Sequence, residues 1–329
     1  MHTRRAAGVG LGLALLSAAT FGTSGSFARS LTEAGWSPGA AVTVRISLAA
    51  LLLAVPTVLA LRGRWRALRS NLGLVAGYGL LAIVGAQLCF FMAIQYLSVG
   101  VALLLEYLGI VLIVAWLWIW QGHRPRRLTL AGSAIALLGL AFVLDILSGS
   151  RLHPIGVLWG FGSAVGLATY FVLSSKSDND LPPVAVAGTG MGIGAVALLV
   201  LGGVGILPMQ VSLVPVSFAG HSVHWLVPVI GLSLVAAVIA YVTGIEAARM
   251  LGAKLASFLG LTEVVFAVLI AWALLGELPT PVQFLGGMLI VAGVALVRID
   301  ELRSPLQQGA SSTDDGTPEM PMRSSAGAL

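Results

Sequence analysis

The stretch that decides the fold occurs twice. GHRPRRLTLAGSAIALLGLAFV fills residues 122–143, and GELPTPVQFLGGMLIVAGVALV fills residues 276–297. Each begins with a glycine and a proline turn, then enters an apolar run with glycines at matching places. Gly132 recurs as Gly286 and Gly139 as Gly293, each 154 residues later. Upstream the correspondence is looser and the offsets slightly shorter: Ser17-Ala18 answers to Ser163-Ala164, Pro38 to Pro183, and Gly100 to Gly252. The chain is therefore two copies of one unit, expected at 6–147 and 155–297.

Outward from that pair, ten apolar segments can be marked, at roughly 6–27, 37–61, 72–97, 98–120, 128–147, 155–175, 182–206, 225–248, 252–275 and 281–297. Each reaches or approaches the ~20 residues needed to cross a ~30 Å hydrocarbon core as a helix. Fifteen of the 18 Lys and Arg residues fall at the ends or in alternate gaps. Those gaps hold Arg62, Arg64, Arg66 and Arg69; Arg124, Arg126 and Arg127; Lys176; and Arg249 and Lys254. The other gaps hold only Arg29 and Arg151. Basic loops stay in the cytoplasm, so both termini are expected there, with the chain in a bacterial cytoplasmic (inner) membrane. Each unit has five segments, an odd number, so the second copy enters from the opposite side. The expected fold class is an all-α membrane protein, with ten transmembrane helices as two inverted five-helix repeats, a build used by secondary transporters.

Composition agrees. The chain is 58% hydrophobic and 9% charged, with mean hydropathy +0.99, where soluble domains carry about 25% charged residues. The net charge of +5 belongs to topology-setting loops that meet anionic lipid. No basic, aromatic-interleaved polar domain suggests nucleic acid. The single Cys89 rules out an intrachain disulfide. Arg4 and Arg5 before an apolar run resemble a secretory signal, but the repeat needs this span as the partner of the sixth. The tail, 304–329, is rich in Ser, Gly, Pro and acids and is expected to be disordered.

The chain resembles the EamA-like transporters of the drug/metabolite transporter superfamily. The resemblance spans roughly residues 8–297. It is carried by Leu251-Gly252-Ala253-Lys254-Leu255-Ala256-Ser257, by Ala271-Trp272 followed by Leu275-Gly276-Glu277, by Gly286-Gly287 with Gly293, and by the Gly100 to Glu106 stretch. It implies a secondary transporter, with export the expected direction, for a small metabolite, amino acid or drug-like molecule. Where family members keep Glu after the glycine that ends the fourth span, this chain has His123.

The chain has 41 glycines, well above the usual ~7%. Many are four apart: Gly73 and Gly77, Gly156 and Gly160, Gly162 and Gly166, Gly188 and Gly192, Gly190 and Gly194. Small faces let helix backbones meet where lipid supplies no hydrophobic drive. Packing within one chain is expected, and a homodimer through the Gly188–Gly194 face is the alternative. Trp116, Trp118 and Trp120 suit a membrane interface.

Ionisable residues inside apolar segments mark function or a structural contact. Glu106 lies about eight residues into the fourth span, ~12 Å deep, and Glu263 about nine residues into the ninth, ~14 Å deep. Both are thus near the midplane, and Glu263 aligns closest to Tyr107. Such a carboxyl has to be protonated, paired or facing water. Arg45 has three fates open to it: lining the cavity as a carboxylate partner, pairing with Glu106, or reaching to the surface. Gln87, Gln95, Tyr107, Tyr170 and Tyr241 complete the expected substrate-binding set. Glu246 is expected to pair with Arg249 at a boundary, and Asp145 and Glu277 to be solvated. Pro56 is expected to kink the second span.

The five histidines lie in loops or at ends, so no metal and no cofactor are expected. No Gly-rich nucleotide loop occurs, so energy would come from a gradient, with protons the candidate coupling ion. An intramembrane enzyme would need a cluster of catalytic groups at one surface, which is not seen. A channel would need no duplication around a closed site.

Overall fold

A computed structural model describes residues 2–93, 96–97, 99–122, 125–143, 153–176, 180–275 and 280–311. Among the described residues, six helices are long and apolar enough to cross a membrane: Gly8–Glu33, Pro38–Ala60, Leu72–Phe90, Pro154–Ser174, Pro183–Gly203 and Leu226–Gly260. Four shorter apolar helices accompany them, at Leu105–Trp120, Arg127–Phe142, Thr262–Leu274 and Phe284–Val297. Leu51, Val55, Trp120, Leu158 and Phe284 point outward from these helices, as lipid-facing side chains must.

The helices are interrupted where the sequence gives no warning. The first span breaks at Thr23 into α1 (His2–Gly22) and α2 (Ser24–Glu33). There the Thr20 and Thr23 hydroxyls donate back to the Leu16 and Thr20 carbonyls, at 2.8 and 2.6 Å, contacts that bend helices. The second span is α3 (Pro38–Ala60), which carries Pro56 within it. The basic turn after it forms α4 (Trp65–Ser70). The third span joins α5 (Leu72–Gly77) and α6 (Ala86–Ala93) through a π-helical stretch, Tyr78–Gly85. The fourth splits at Leu108 into α7 (Val99–Tyr107) and α8 (Gly109–Gln121). The fifth is α9 (Arg127–Val143).

The second half repeats these irregularities. After α10 (Pro154–Ser174) and α11 (Pro183–Gly203) comes α12 (Leu226–Ile230), followed by a second π stretch, Gly231–Ile239. Expected spans 225–248 and 252–275 are not separated by a loop. Helix α13 (Ala240–Gly260) runs through both, with a sharp joint at Gly252 (φ 79, ψ 160), and breaks at Leu261 before α14 (Thr262–Leu275). Glycine alone tolerates that backbone, so the joint is encoded by one residue. Each half thus carries a π stretch in its third span and a break in its fourth.

Two further departures concern the ends. Helix α15 (Pro281–Ser311) continues past Val297 into residues expected to be disordered from Ser304. The apolar run stops at Val297, but helix formers such as Arg298, Glu301, Leu302, Gln307 and Gln308 extend the helix beyond it. The expected all-α fold also includes a short hairpin, β1 (Val216–Phe218) with β2 (His221–Val223), turning at Ala219-Gly220. It packs Phe218 on Phe27, with ring centroids 5.2 Å apart.

Contacts between the halves follow an exchange rule. Helix α9 packs on α15, and α3 on α11, each with its own counterpart. Helix α1 packs on α13 just as α10 packs on α6. Gly132 meets the Gly293 carbonyl, while Gly139 meets that of Gly286, so the repeated glycines cross as antiparallel pairs. The Ser17 hydroxyl donates to the Ala240 carbonyl at 2.8 Å, and the Ser163 hydroxyl to the Ala86 carbonyl at 3.1 Å. Ala86 and Ala240 each follow a π stretch, so each serine serves the matching carbonyl of the other half.

The basic loops gather at one end. Arg64 donates to the Asp180 carbonyl at 3.4 Å, Arg249 to that of Leu181 at 2.6 Å, and Lys254 to the Thr129 hydroxyl at 3.3 Å. Thr129 in turn donates to the buried Asp300 carboxylate at 2.6 Å, tying α9 to α15. At the opposite end, Ser37 donates to the Pro208 carbonyl at 2.6 Å, and the Trp36 indole donates to that of Ser212.

Candidate functional site: a cavity between the two halves

The irregular helices enclose a cavity of about 650 Å³. Its walls come from α1, α2 and α3, from the two π-bearing spans, from the two broken spans and from α10. Arg45, Gln87, Glu106, Tyr107, Tyr170, Tyr241 and Glu263 all line it. Gln95 lies outside the described residues, as do His123, Asp145 and Glu277. Glu246 sits on α13 near Arg249, with which it interacts electrostatically, away from the cavity.

The cavity is open at one end and closed at the other. Gly25, Arg29, Thr32 and Pro38 line its exposed mouth, and the Arg29 guanidinium pairs with Glu33 at 2.8 Å. Towards the basic end the lining stops at Ala14, Ala247 and Ala256. Buried Leu61, Val75, Leu181, Ala248 and Ala253 belong to the core beyond it.

Of the three fates open to Arg45, the structure places the residue at the cavity wall. It is 6% exposed. One terminal nitrogen donates to the Ser24 hydroxyl at 3.1 Å, the other to the Ala236 carbonyl in the second π stretch. Widening an α-helix to a π-helix shifts its carbonyls out of the i→i−4 pattern, and Arg45 serves one of them. Its remaining nitrogen, Nε, is buried without a hydrogen-bond partner.

The carboxyls hold related positions in the two broken spans. Glu106 lies two residues before the break at Leu108, and Glu263 two residues after the break at Leu261. Taking the breaks as equivalent pairs Glu263 with Ile110 rather than Tyr107. Because α8 runs towards the basic end and α14 away from it, both carboxyls fall on the mouth side of their breaks. The Tyr107 hydroxyl faces Glu263, and the Ser163 hydroxyl faces Glu106.

Aromatic rings complete the floor. Phe21 meets Tyr241 edge-on at 4.9 Å and Tyr170 at 6.5 Å, while Tyr170 meets Tyr241 at 5.5 Å and Phe171 at 4.9 Å. Gly244 leaves room for the Tyr170 hydroxyl. The Tyr170 hydroxyl is buried facing the Ser17 hydroxyl.

A helical membrane protein with paired halves around a central cavity has the architecture of a carrier. Residues 8–145 and 154–299 each match the EamA-like transporter family. This chain belongs to the EamA-like transporter family. The boundary between the two matches falls between the halves read from the glycine repeat. Among its relatives is YicL, an uncharacterized inner membrane transporter of Salmonella typhimurium. It is 27% identical over 227 residues, covering 68% of this chain and 72% of that protein. An uncharacterized transporter of Archaeoglobus fulgidus is 28% identical over 204 residues, covering 62% and 68%. A solved crystal structure shares the fold at 20% identity, with a TM-score of 0.71 over 89% of this chain and 98% of that one.

Several EamA cavity residues escape sequence reasoning. Arg29 and Thr32 read as loop residues because the apolar run ends near Phe27, yet α2 carries the helix on to Glu33, and Ser24 sits inside that run without standing out. Phe21 and Phe90 look like lipid-facing or core rings. Ser17 offered a signal, because its match to Ser163 singles out a polar residue kept in both halves.

Proposed function

We propose that this chain is a ten-span secondary transporter that moves a small amphipathic molecule by alternating access, with two inverted five-helix repeats as its moving halves. The observation that carries this reading is a cavity between the halves, open at one end, closed at the other and floored by two carboxyls. The exchange of Ser17–Ala240 for Ser163–Ala86 supports a two-fold relation between the repeats. Under such a relation the closed end can open as the open end closes.

The basic end is assigned to the cytoplasm by its charge. The mouth at Arg29 and Thr32 then faces the periplasm, and this conformation is outward-open. Glu106 and Glu263 are the coupling groups on this reading: carboxyls in a cavity that is alternately wet and closed can take up a proton on one side and release it on the other.

Purified protein in proteoliposomes, assayed with a metabolite panel with and without a pH gradient, tests the reading. Gradient-driven accumulation of at least one compound is expected. The double variant Glu106→Gln/Glu263→Gln is expected to lose gradient dependence. Wild-type rates and unchanged pH dependence in that variant would return both residues to structural roles.

A further inference from the structure

The proposed transport leaves the cargo open, and the cavity's charges constrain it. The lining holds one guanidinium and two carboxyls besides the paired Arg29. These charges are not equally available. Arg45 spends its terminal nitrogens on Ser24 and the Ala236 carbonyl, and its Nε is buried without a hydrogen-bond partner. At 6% exposure it offers little to a carboxylate arriving from the mouth. A bidentate clasp, the usual way arginine takes a carboxylate, would require breaking those bonds.

The carboxyls differ on each count. Glu106 and Glu263 are only half-buried and line the cavity. Each faces a neutral hydroxyl, and although Glu263 feels the Arg45 charge through space, no cation makes an ion-pair contact with either carboxyl among the described residues. Beside them stand Phe21, Tyr170 and Tyr241, mutually edge-to-face at 4.9 to 6.5 Å. Aromatic faces attract cations through the ring quadrupole and also pack apolar surface. At about 650 Å³ the space lies within the range of sites for drug-sized molecules.

We propose that the cavity takes an amphipathic organic cation, a protonated amine or quaternary ammonium with an aromatic or aliphatic body, its charge between Glu106 and Glu263 and its body against Phe21, Tyr170 and Tyr241. The assignment names the cargo of the transport reading and rests on the same cavity. Arg45 positions the second π stretch through its bond to the Ala236 carbonyl.

Isothermal titration calorimetry on the purified full-length protein in detergent tests it with three probes that share an aromatic body. These are phenethyltrimethylammonium, a cation; phenylalanine, a zwitterion; and hydrocinnamate, an anion. The cation is expected to bind at least about tenfold more tightly than either of the others. Glu106→Gln and Glu263→Gln should each weaken it by a further factor of about ten, with Glu→Asp at either site retaining part of the affinity. Equal or tighter binding of phenylalanine or hydrocinnamate overturns the proposal, as does no binding of the cation. Wild-type cation affinity in both Gln variants overturns it too. The comparison among probes uses wild-type protein, so it stands even where a variant fails to fold. A cation that binds but is not carried in proteoliposomes keeps this inference and removes transport. An amino acid carried without cation binding does the reverse.

Discussion

At the scale of single residues, glycine decides where helices can meet. A Cβ at Gly139 would lie 2.6 Å from the Gly286 carbonyl oxygen and 2.7 Å from the Ile290 nitrogen, both backbone atoms that cannot step aside. At Gly190 it would lie 2.7 Å from the Tyr78 ring, and at Gly162 2.7 Å from the Cys89 sulfur. Gly192 meets nothing within 4 Å. Gly139→Leu, Gly190→Leu and Gly162→Leu are therefore expected to destabilise the fold by about 1–3 kcal/mol or more. Gly192→Leu should melt close to wild type. Thermal melts in detergent, followed by tryptophan fluorescence, separate the two classes, and equal melts across all four would remove the packing argument. Thr129 tests a polar contact instead. Its hydroxyl donates to the buried Asp300, so Thr129→Val should cost about 1–3 kcal/mol by leaving part of that carboxylate unserved. The same melts read it, and a wild-type midpoint would show the contact to be expendable.

The elements show what the sequence conveys and what it withholds. Hydropathy and charge locate most spans to within a few residues: 37–61 for Pro38–Ala60, and 155–175 for Pro154–Ser174. They do not reveal the π stretches, because Tyr78–Gly85 and Gly231–Ile239 are apolar apart from Ser233 and the Tyr78 hydroxyl, and carry no proline. A change of helical pitch leaves no trace in a run that is hydrophobic all round. The breaks at Leu108 and Leu261 are equally silent, since leucine favours helix and tertiary packing overrides it. Seven of the eight residues expected to bind substrate nevertheless line the cavity, because a polar group in an apolar run stands out wherever the helix bends. The joint at Gly252 was visible only as a repeat landmark. Its φ of 79 and ψ of 160 are open essentially to glycine alone, so Gly252→Ala is expected to cost about 1–3 kcal/mol. Because the joint orients the segment bearing Lys254 and leading to Glu263, cation affinity should fall along with stability. Unchanged titrations would show that α14 is positioned by its other contacts.

At the scale of the whole molecule, the two halves exchange contacts, and the exchange predicts where labels go. Loops that touch one another must share a side of the membrane. Arg64 reaches Asp180, Arg249 reaches Leu181, and Lys254 reaches Thr129, so the basic loops move as a set. Ser37 and Trp36 bind the chain at 208–212, which fixes a second set at the opposite end. On the proposed orientation, the first set lies in the cytoplasm because of its positive charge. Reporter fusions truncated at Arg69 and His221 should then read inside and outside respectively, and the same side for both would refute the arrangement. The cavity adds a sharper form of this test. In a Cys89→Ala background, Thr32→Cys at the mouth should react with a membrane-impermeant maleimide added outside. Ala253→Cys, buried beyond the closed end, should be protected from the same reagent added inside. Conditions that drive turnover should expose Ala253→Cys and slow labelling of Thr32→Cys, because a two-fold exchange opens one end only by closing the other. Both positions labelling quickly at once would describe a pore rather than a carrier.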